Sequence, residues 1–451
     1  MITPEQQAAT SRRAELGLVV GVSVVTVGAY ATASLGQDRA LPPNLLVFLA
    51  MVLTLNVAAH LAVRKFAPLA SPVLLPCALL LNGLGYVVIA RLDSDLAGLQ
   101  ATWSAVGVAG FTAILWIVRR ARDLERYRYT LGFVGIALLV TPMIPGIGVT
   151  INGARLWVRV GGVSFQPGEV AKVCLALFIA SYLVEKRELL GRATRQVGPI
   201  HVPDIRHFGP LILMCAVSLA TLLIQRDLGS SVLLISMFIV SLWVATGRAI
   251  YVVGGAIVGV AGVALASTRL LYVRNRLETW IDPWSDASAG GYQLVQAQFS
   301  MGSGGLFGEG LGRGTPWRVP YAYNDFIFAA IGEELGLLGT TAVIVTFCLL
   351  ASTALSVALR ARDPFEQLLA TALTTVVSFQ AFIIMAGVVR VMPLTGIALP
   401  FVAYGGSSLL TNYVIIALLL RISHDSTARN YRLRQAGERE VIARLDQEAV
   451  S

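Results

Sequence analysis

Glu169 and Lys172 stand three residues apart, directly after Phe165-Gln166-Pro167-Gly168 and at the opening of an apolar run. Pro167 suits the first turn of a helix, and the i, i+3 spacing then puts carboxylate and ammonium on one face. Ionisable groups at membrane depth are costly and tend to pair inside a bundle. The pair therefore reads either as a structural ion pair or as the lining of an outward-facing cavity that holds substrate. Just upstream, Arg155 and Arg159 flank Trp157. Two guanidinium groups beside an indole could bind a phosphate or pyrophosphate, but residue type alone favours headgroup anchors. Asp325 lies where a polar loop, Val319-Pro320-Tyr321-Ala322-Tyr323-Asn324, turns into Phe326-Ile327-Phe328. Partial desolvation there would raise a carboxyl pKa and fit it to act as a general base. An N-cap would use the same residue type. Glu333 and Glu334 follow, and one of them could face the same cavity. Asp227 and Gly229, in Gln225-Arg226-Asp227-Leu228-Gly229-Ser230, are explained by a tight turn.

Positioning these residues falls to membrane helices. Of the 451 residues, 56% are hydrophobic and only 14% charged, against about 25% charged in soluble domains. The solvent must be largely lipid. Twelve runs are long and apolar enough to span: about 16–35, 44–63, 72–92, 100–118, 128–145, 168–186, 209–225, 230–246, 249–267, 335–360, 366–390 and 404–422. The first is followed by no convincing cleavage site and reads as a retained helix. Between Met392-Pro393-Leu394-Thr395-Gly396 and Tyr404-Gly405-Gly406-Ser407-Ser408, Pro and Gly interrupt helix within an apolar region. Non-helical backbone at that depth must be buried in protein or line a wet cavity, so a polar cavity is expected. The four cysteines (Cys77, Cys174, Cys215, Cys348) lie in apolar runs and read as core residues, not a disulfide framework or a zinc site. No histidine falls in a chemistry-bearing motif, and no internal repeat of the inverted-transporter kind is evident.

Orientation follows from the arginines. With the N-terminus (1–15) in the cytoplasm, the inside segments carry 23 of the 35 basic residues, including the cluster Arg119, Arg120, Arg122, Arg126 and Arg128 and the stretch Lys186 to Arg206. That agrees with twelve spans over 16–424 and a charged cytoplasmic tail over 425–451, in which Val441, Ile442 and Leu445 allow a short amphipathic helix. The net charge of +9 then reports membrane orientation, not nucleic-acid binding. Two outside segments are long: about 146–167, and a large loop over 268–334 with seven glycines between 302 and 314. Long ordered loops are often functional.

Residues and spacing alone stop at an all-α, twelve-helix polytopic protein with an outward polar cavity. Asn152-Gly153-Ala154-Arg155-Leu156-Trp157 with Phe165-Gln166-Pro167-Gly168-Glu169, then Asp227-Leu228-Gly229-Ser230, Gly291-Tyr292-Gln293, Asp325-Phe326-Ile327-Phe328 with Glu333-Glu334-Leu335-Gly336, and Pro393-Leu394-Thr395-Gly396 with Tyr404-Gly405-Gly406-Ser407-Ser408 resemble, in order, the motifs of the SEDS family of FtsW, RodA and SpoVE. The likeness spans about residues 152–408, and the layout is similar to RodA-like members from actinobacteria. It implies a ten-helix core with two extra N-terminal helices, and polymerisation of lipid II into glycan strands by inverting transfer with release of undecaprenyl pyrophosphate. It also implies Asp325 as general base, and Arg155, Trp157, Glu169, Lys172, Glu333, Glu334, Ser407 and Ser408 as substrate-binding residues. A divalent cation (Mg or Mn) could share the pyrophosphate charge, although no ligand cluster is evident. The implied partners are lipid II, the lipid-linked strand and a class B penicillin-binding protein, at the bacterial plasma membrane. Flipping of lipid II, scaffolding and an FtsW-type division polymerase are the competing readings. The chain departs from the family pattern at Val319-Pro320-Tyr321 and Tyr323-Asn324, at Gly168 in place of a serine, and at Arg390.

Overall fold

The computed structural model describes residues 4–151, 153–161, 163–191, 195–197, 200–202 and 209–450. Asn152 of the first motif, and Arg192 and Arg206 of the basic stretch after Lys186, fall outside them. Helices dominate: α1 (Pro4–Asp38), α2 (Leu45–Phe66), α3 (Leu74–Leu92), α4 (Ser94–Ile117), α5 (Arg128–Val140), α6 (Pro167–Gly191), α7 (Gly209–Ile224), α8 (Leu228–Thr246), α9 (Ile250–Arg269), α10 (Leu271–Ile281), α11 (Tyr292–Gly304), α12 (Ile327–Arg360), α13 (Pro364–Val388) and α14 (Gly406–Val450). A small antiparallel sheet, β1 (Gly148–Ile151), β2 (Ala154–Val160) and β3 (Val163–Phe165), leads into α6, and a two-stranded ribbon, β4 (Arg195–Val197) and β5 (Ile200–Val202), follows it.

Each of the twelve apolar runs is a helix. Ten of these helices are long and apolar enough to cross a membrane. The other two, α5 with 13 residues and α7 with 16, are shorter than a full span. α5 stops early because Pro142 opens a tight 3-10 turn over Thr141–Met143, where Pro lacks the N–H that would continue an α-helix.

Helices α6, α13 and α14 form the buried centre. α6 packs on α5, α8 and α13, and α14 packs on α4 and α6. Close approach depends on small residues: a side chain at Gly107 of α4 would strike the Tyr413 ring of α14. α9 lies at the other extreme, with no buried residue. α1 is held to α2 by a buried cluster in which Arg12 bonds Glu15 and the Ala70 carbonyl, and His60 Nδ1 lies 2.7 Å from Glu15.

Two expectations change. The segment 268–334 is not one open loop. It contains α10 and α11, and its last eight residues already belong to α12, which begins at Ile327. The apolar stretch Ile327–Ile331 is buried and helical, and the helix breaks at Gly336 (φ 64°, ψ −160°), a conformation open essentially to glycine alone. Gly308 abuts the same break: a side chain on Gly336 would lie 2.3 Å from Gly308 N. The tail beyond 424 is also not a separate element. α14 continues through it without interruption.

Candidate active site

The Glu169–Lys172 pair forms as its spacing predicts. Both side chains are buried, and Lys172 Nζ lies 3.0 Å from each Glu169 carboxylate oxygen. The ammonium also donates to Gln380 Oε1 of α13 at 3.0 Å, and Gln380 Nε2 donates to the Ala398 carbonyl at 2.8 Å. The pair is thereby tied to the non-helical stretch 389–405 that the Pro and Gly spacing foretold. Ser407, just past that stretch, accepts from Gln166 N at 3.2 Å, one residue before α6.

The same irregular stretch reaches the Asp325 loop. Tyr404 N donates to Tyr323 O at 2.9 Å, and the two rings meet edge to face at 6.1 Å. From α10, Arg276 Nη1 donates to Leu394 O at 3.0 Å. Arg390 and Trp280 exchange bonds, Arg390 Nε to Trp280 O at 2.9 Å and Trp280 Nε1 to Arg390 O at 3.2 Å. Gly229 of α8 fits against Thr395 O and Ile397. Backbone that cannot satisfy itself as helix is thus satisfied by α10, α13 and the Asp325 loop together.

Asp325 is half-buried, and among the described residues no hydrogen bond or ion pair ties its carboxylate. Burial pushes its pKa up to about 6, with the Arg276 guanidinium pulling the other way. It does not cap α12, whose cap position, Phe326, makes no side-chain bond. Asp227 does cap: its Oδ1 accepts from Ser230 N at 2.9 Å at the start of α8. Burial raises the Asp227 carboxyl, against the Ser230 bonds and the field of Lys172.

Other expected site residues are placed differently. Glu333 is buried and bonded to Ser300 and to Thr315. Glu334 is buried against Arg91 at 3.3 Å, and Arg91 also donates to the carbonyls of Gly312 and Gly314. Both acids therefore brace the glycine-rich loop over α11 and α12. Ser408 accepts from Asn412 within α14. Arg155 is half-buried and turns back to the Ile144 carbonyl at 3.2 Å, Trp157 is half-buried opposite Val149 in the β1–β2 hairpin, and Arg159 is exposed. Gln380 and Arg276 were not foreseen. An uncharged glutamine mid-helix carries no sequence signal, and Arg276 is one of several arginines on its loop. Among the described residues no group of three or more His, Cys, Asp or Glu side chains comes together, and no step is assigned to a divalent cation.

Residues 77–428 match the family described as "Cell cycle protein", that of FtsW, RodA and SpoVE. The chain belongs to this family. It is 41% identical over 428 residues to the peptidoglycan glycosyltransferase RodA of Mycobacterium tuberculosis, covering 92% of this chain and 91% of that one, and 39% identical to RodA of Mycobacterium leprae. A probable FtsW from a Geobacter species is 36% identical over 63% of this chain. Among solved structures, a chain of a peptidoglycan synthase complex coordinating polymerization and crosslinking superposes with a TM-score of 0.65 at 24% identity, over 78% of this chain and 97% of that one. Thermus thermophilus RodA gives 0.55 at 24% identity. The fold is therefore shared. The family match begins within α3, so α1 and α2 stand outside it, as the two extra N-terminal helices implied by the motif resemblance.

Proposed function

We infer that the chain is a peptidoglycan glycosyltransferase that polymerises lipid II at the outer face of the plasma membrane, in the manner of RodA. The observation that carries this reading is the convergence on one irregular stretch, 389–405, of a buried Lys172–Glu169–Gln380 network and an untethered, half-buried Asp325. A transporter would need the binding charges but not a carboxyl poised near neutrality.

In this scheme Asp325, ionised above pH about 6, takes the proton of the acceptor sugar's 4-hydroxyl as that oxygen attacks the donor anomeric carbon. The C–O bond to the pyrophosphate breaks with inversion, and undecaprenyl pyrophosphate leaves. Lys172 and Arg155 supply positive charge for the leaving group, Glu169 and Gln380 orient the ammonium, and Trp157 forms part of the sugar-binding wall. Ser407 holds the start of α6 in register. Glu333 and Glu334 support substrate binding through the loop they brace. A class B penicillin-binding protein is the proposed partner, supplying crosslinking. Both termini lie in the cytoplasm in this scheme, the side favoured by the arginine distribution, and the likeness to RodA over nearly the whole chain favours a role in elongation.

The test is glycan polymerisation from lipid II by the purified protein with its partner, comparing wild type with Asp325→Ala at equal folding. Polymer from wild type alone supports the scheme. Equal product from both removes Asp325 as base.

A further inference from the structure

At the membrane end away from Asp325, a cavity of about 600 Å³ opens between the start of α1, the α2–α3 connection, the last turns of α12 and the extension of α14. It is separate from the proposed active site, and part of its wall, Gln7 and Ser11, comes from the helix that lies outside the family match. Its volume is that of a small-molecule site.

The lining is rich in hydroxyls, and four of them have already committed their protons. Ser352 donates to Leu349 O (3.1 Å), Ser356 to Ser352 O (2.8 Å), Ser426 to Arg360 O (2.9 Å) and Thr427 to Ser423 O (2.8 Å). What these oxygens still offer is lone pairs. Asn430 adds a buried carbonyl oxygen with no hydrogen-bond partner, which is costly unless a ligand donates to it. Among the described residues Arg360 is the single charge on the wall, its guanidinium makes no ion pair, and no acidic residue lines the cavity. An occupant that brings hydroxyl donors and one negative charge therefore fits this wall. An ammonium headgroup would find no carboxylate. On the outer side of α12, Leu355 and Leu359 are exposed beside the cavity and offer a track for acyl chains.

We propose that this cavity binds the headgroup of an anionic polyol phospholipid, with its phosphodiester on Arg360 and its hydroxyls donating to the Ser/Thr oxygens and Asn430. Basic pockets between helices on the cytoplasmic side suit such lipids, and the arginine-based orientation puts the cavity on that side. The bound lipid would cement α1 to the core across the α12–α14 seam.

The test is native mass spectrometry of the purified full-length protein in detergent, titrated with phosphatidylglycerol, phosphatidylethanolamine and phosphatidylcholine of matched chains. Phosphatidylglycerol should bind about tenfold more tightly than phosphatidylcholine, and Arg360→Gln should remove about that factor, as expected for one charge-assisted hydrogen bond. Ser356→Leu, which fills the cavity from a helix surface, should weaken binding similarly, and Asp325→Ala should leave it unchanged. Equal binding of all three lipids, or no loss in either folded cavity variant, overturns the proposal. Displacement of the lipid by free glycerol phosphate at matched concentration overturns the lipid assignment in favour of a soluble phosphate. Because the readout is binding, it stands or falls independently of the glycosyltransferase reading.

Discussion

Lys172→Met removes one partner of a buried ion pair. The ammonium bonds both Glu169 oxygens and Gln380 at 3.0 Å, and both charged side chains are nearly inaccessible. Without Lys172, the Glu169 carboxylate stays buried with no counter-charge, a change that costs roughly 3–5 kcal/mol. The Glu169→Gln/Lys172→Met double variant removes both charges, and the new carboxamide at position 169 could then donate to Gln380 Oε1. Replacing a whole buried pair by neutral groups of similar volume is often close to neutral, so the double variant should recover most of the stability. It should not recover activity, because the positive charge proposed to face the pyrophosphate is still missing. The assays are thermal unfolding in detergent and lipid II polymerisation with the partner present. The expected pattern is a large loss of thermal midpoint and activity in Lys172→Met, then near-wild-type midpoint without activity in the double variant. A double variant that regains both would make the pair purely structural. A stable, fully active Lys172→Met would refute the electrostatic reasoning altogether.

Polymerisation should rise with pH through an apparent pKa near 6, as Asp325 ionises. Arg276→Ala should move that midpoint upward, since the guanidinium holds the carboxyl down, and a rate profile of each variant reads this directly. The folded carboxyl sits above its ordinary value of 3.8, so ionisation is harder in the folded state. Asp325 therefore subtracts stability progressively as pH rises from about 4 through 6, and Asp325→Asn should unfold at slightly higher temperature than wild type at pH 7.5 but not at pH 4. Gly336→Ala should cost at least about 2 kcal/mol, because it forces a side chain into a backbone region reserved for glycine and against Gly308 N; normal thermal stability would show that the break can straighten. A reporter fused at the C-terminus should signal from the cytoplasm, and an extracytoplasmic signal would break the proposed orientation.

Helices were legible in the sequence wherever apolar length decided them, since only a hydrogen-bonded backbone is tolerated in lipid. Their ends were legible only where local chemistry wins. Pro167 marked the start of α6, whereas the start of α12 was misplaced because Asn324-Asp325-Phe326 looks like loop while Ile327–Ile331 is held helical by burial. The Glu169–Lys172 contact followed from helical periodicity, and the irregular stretch 389–405 followed from Pro and Gly. What anchors that stretch did not follow: Gln380 and Arg276 are ordinary residues until folding brings α13 and α10 against it. The two reasons differ physically. Period and φ preference are properties of neighbours in sequence, whereas a non-helical segment at membrane depth has no local partners for its carbonyls and must recruit them from distant helices. Polar side chains that donate to such carbonyls (Gln380 to Ala398, Arg276 to Leu394) are therefore where positioning residues of this site should be sought, and a change at either position should disturb Asp325 and Lys172 geometry together, not one alone.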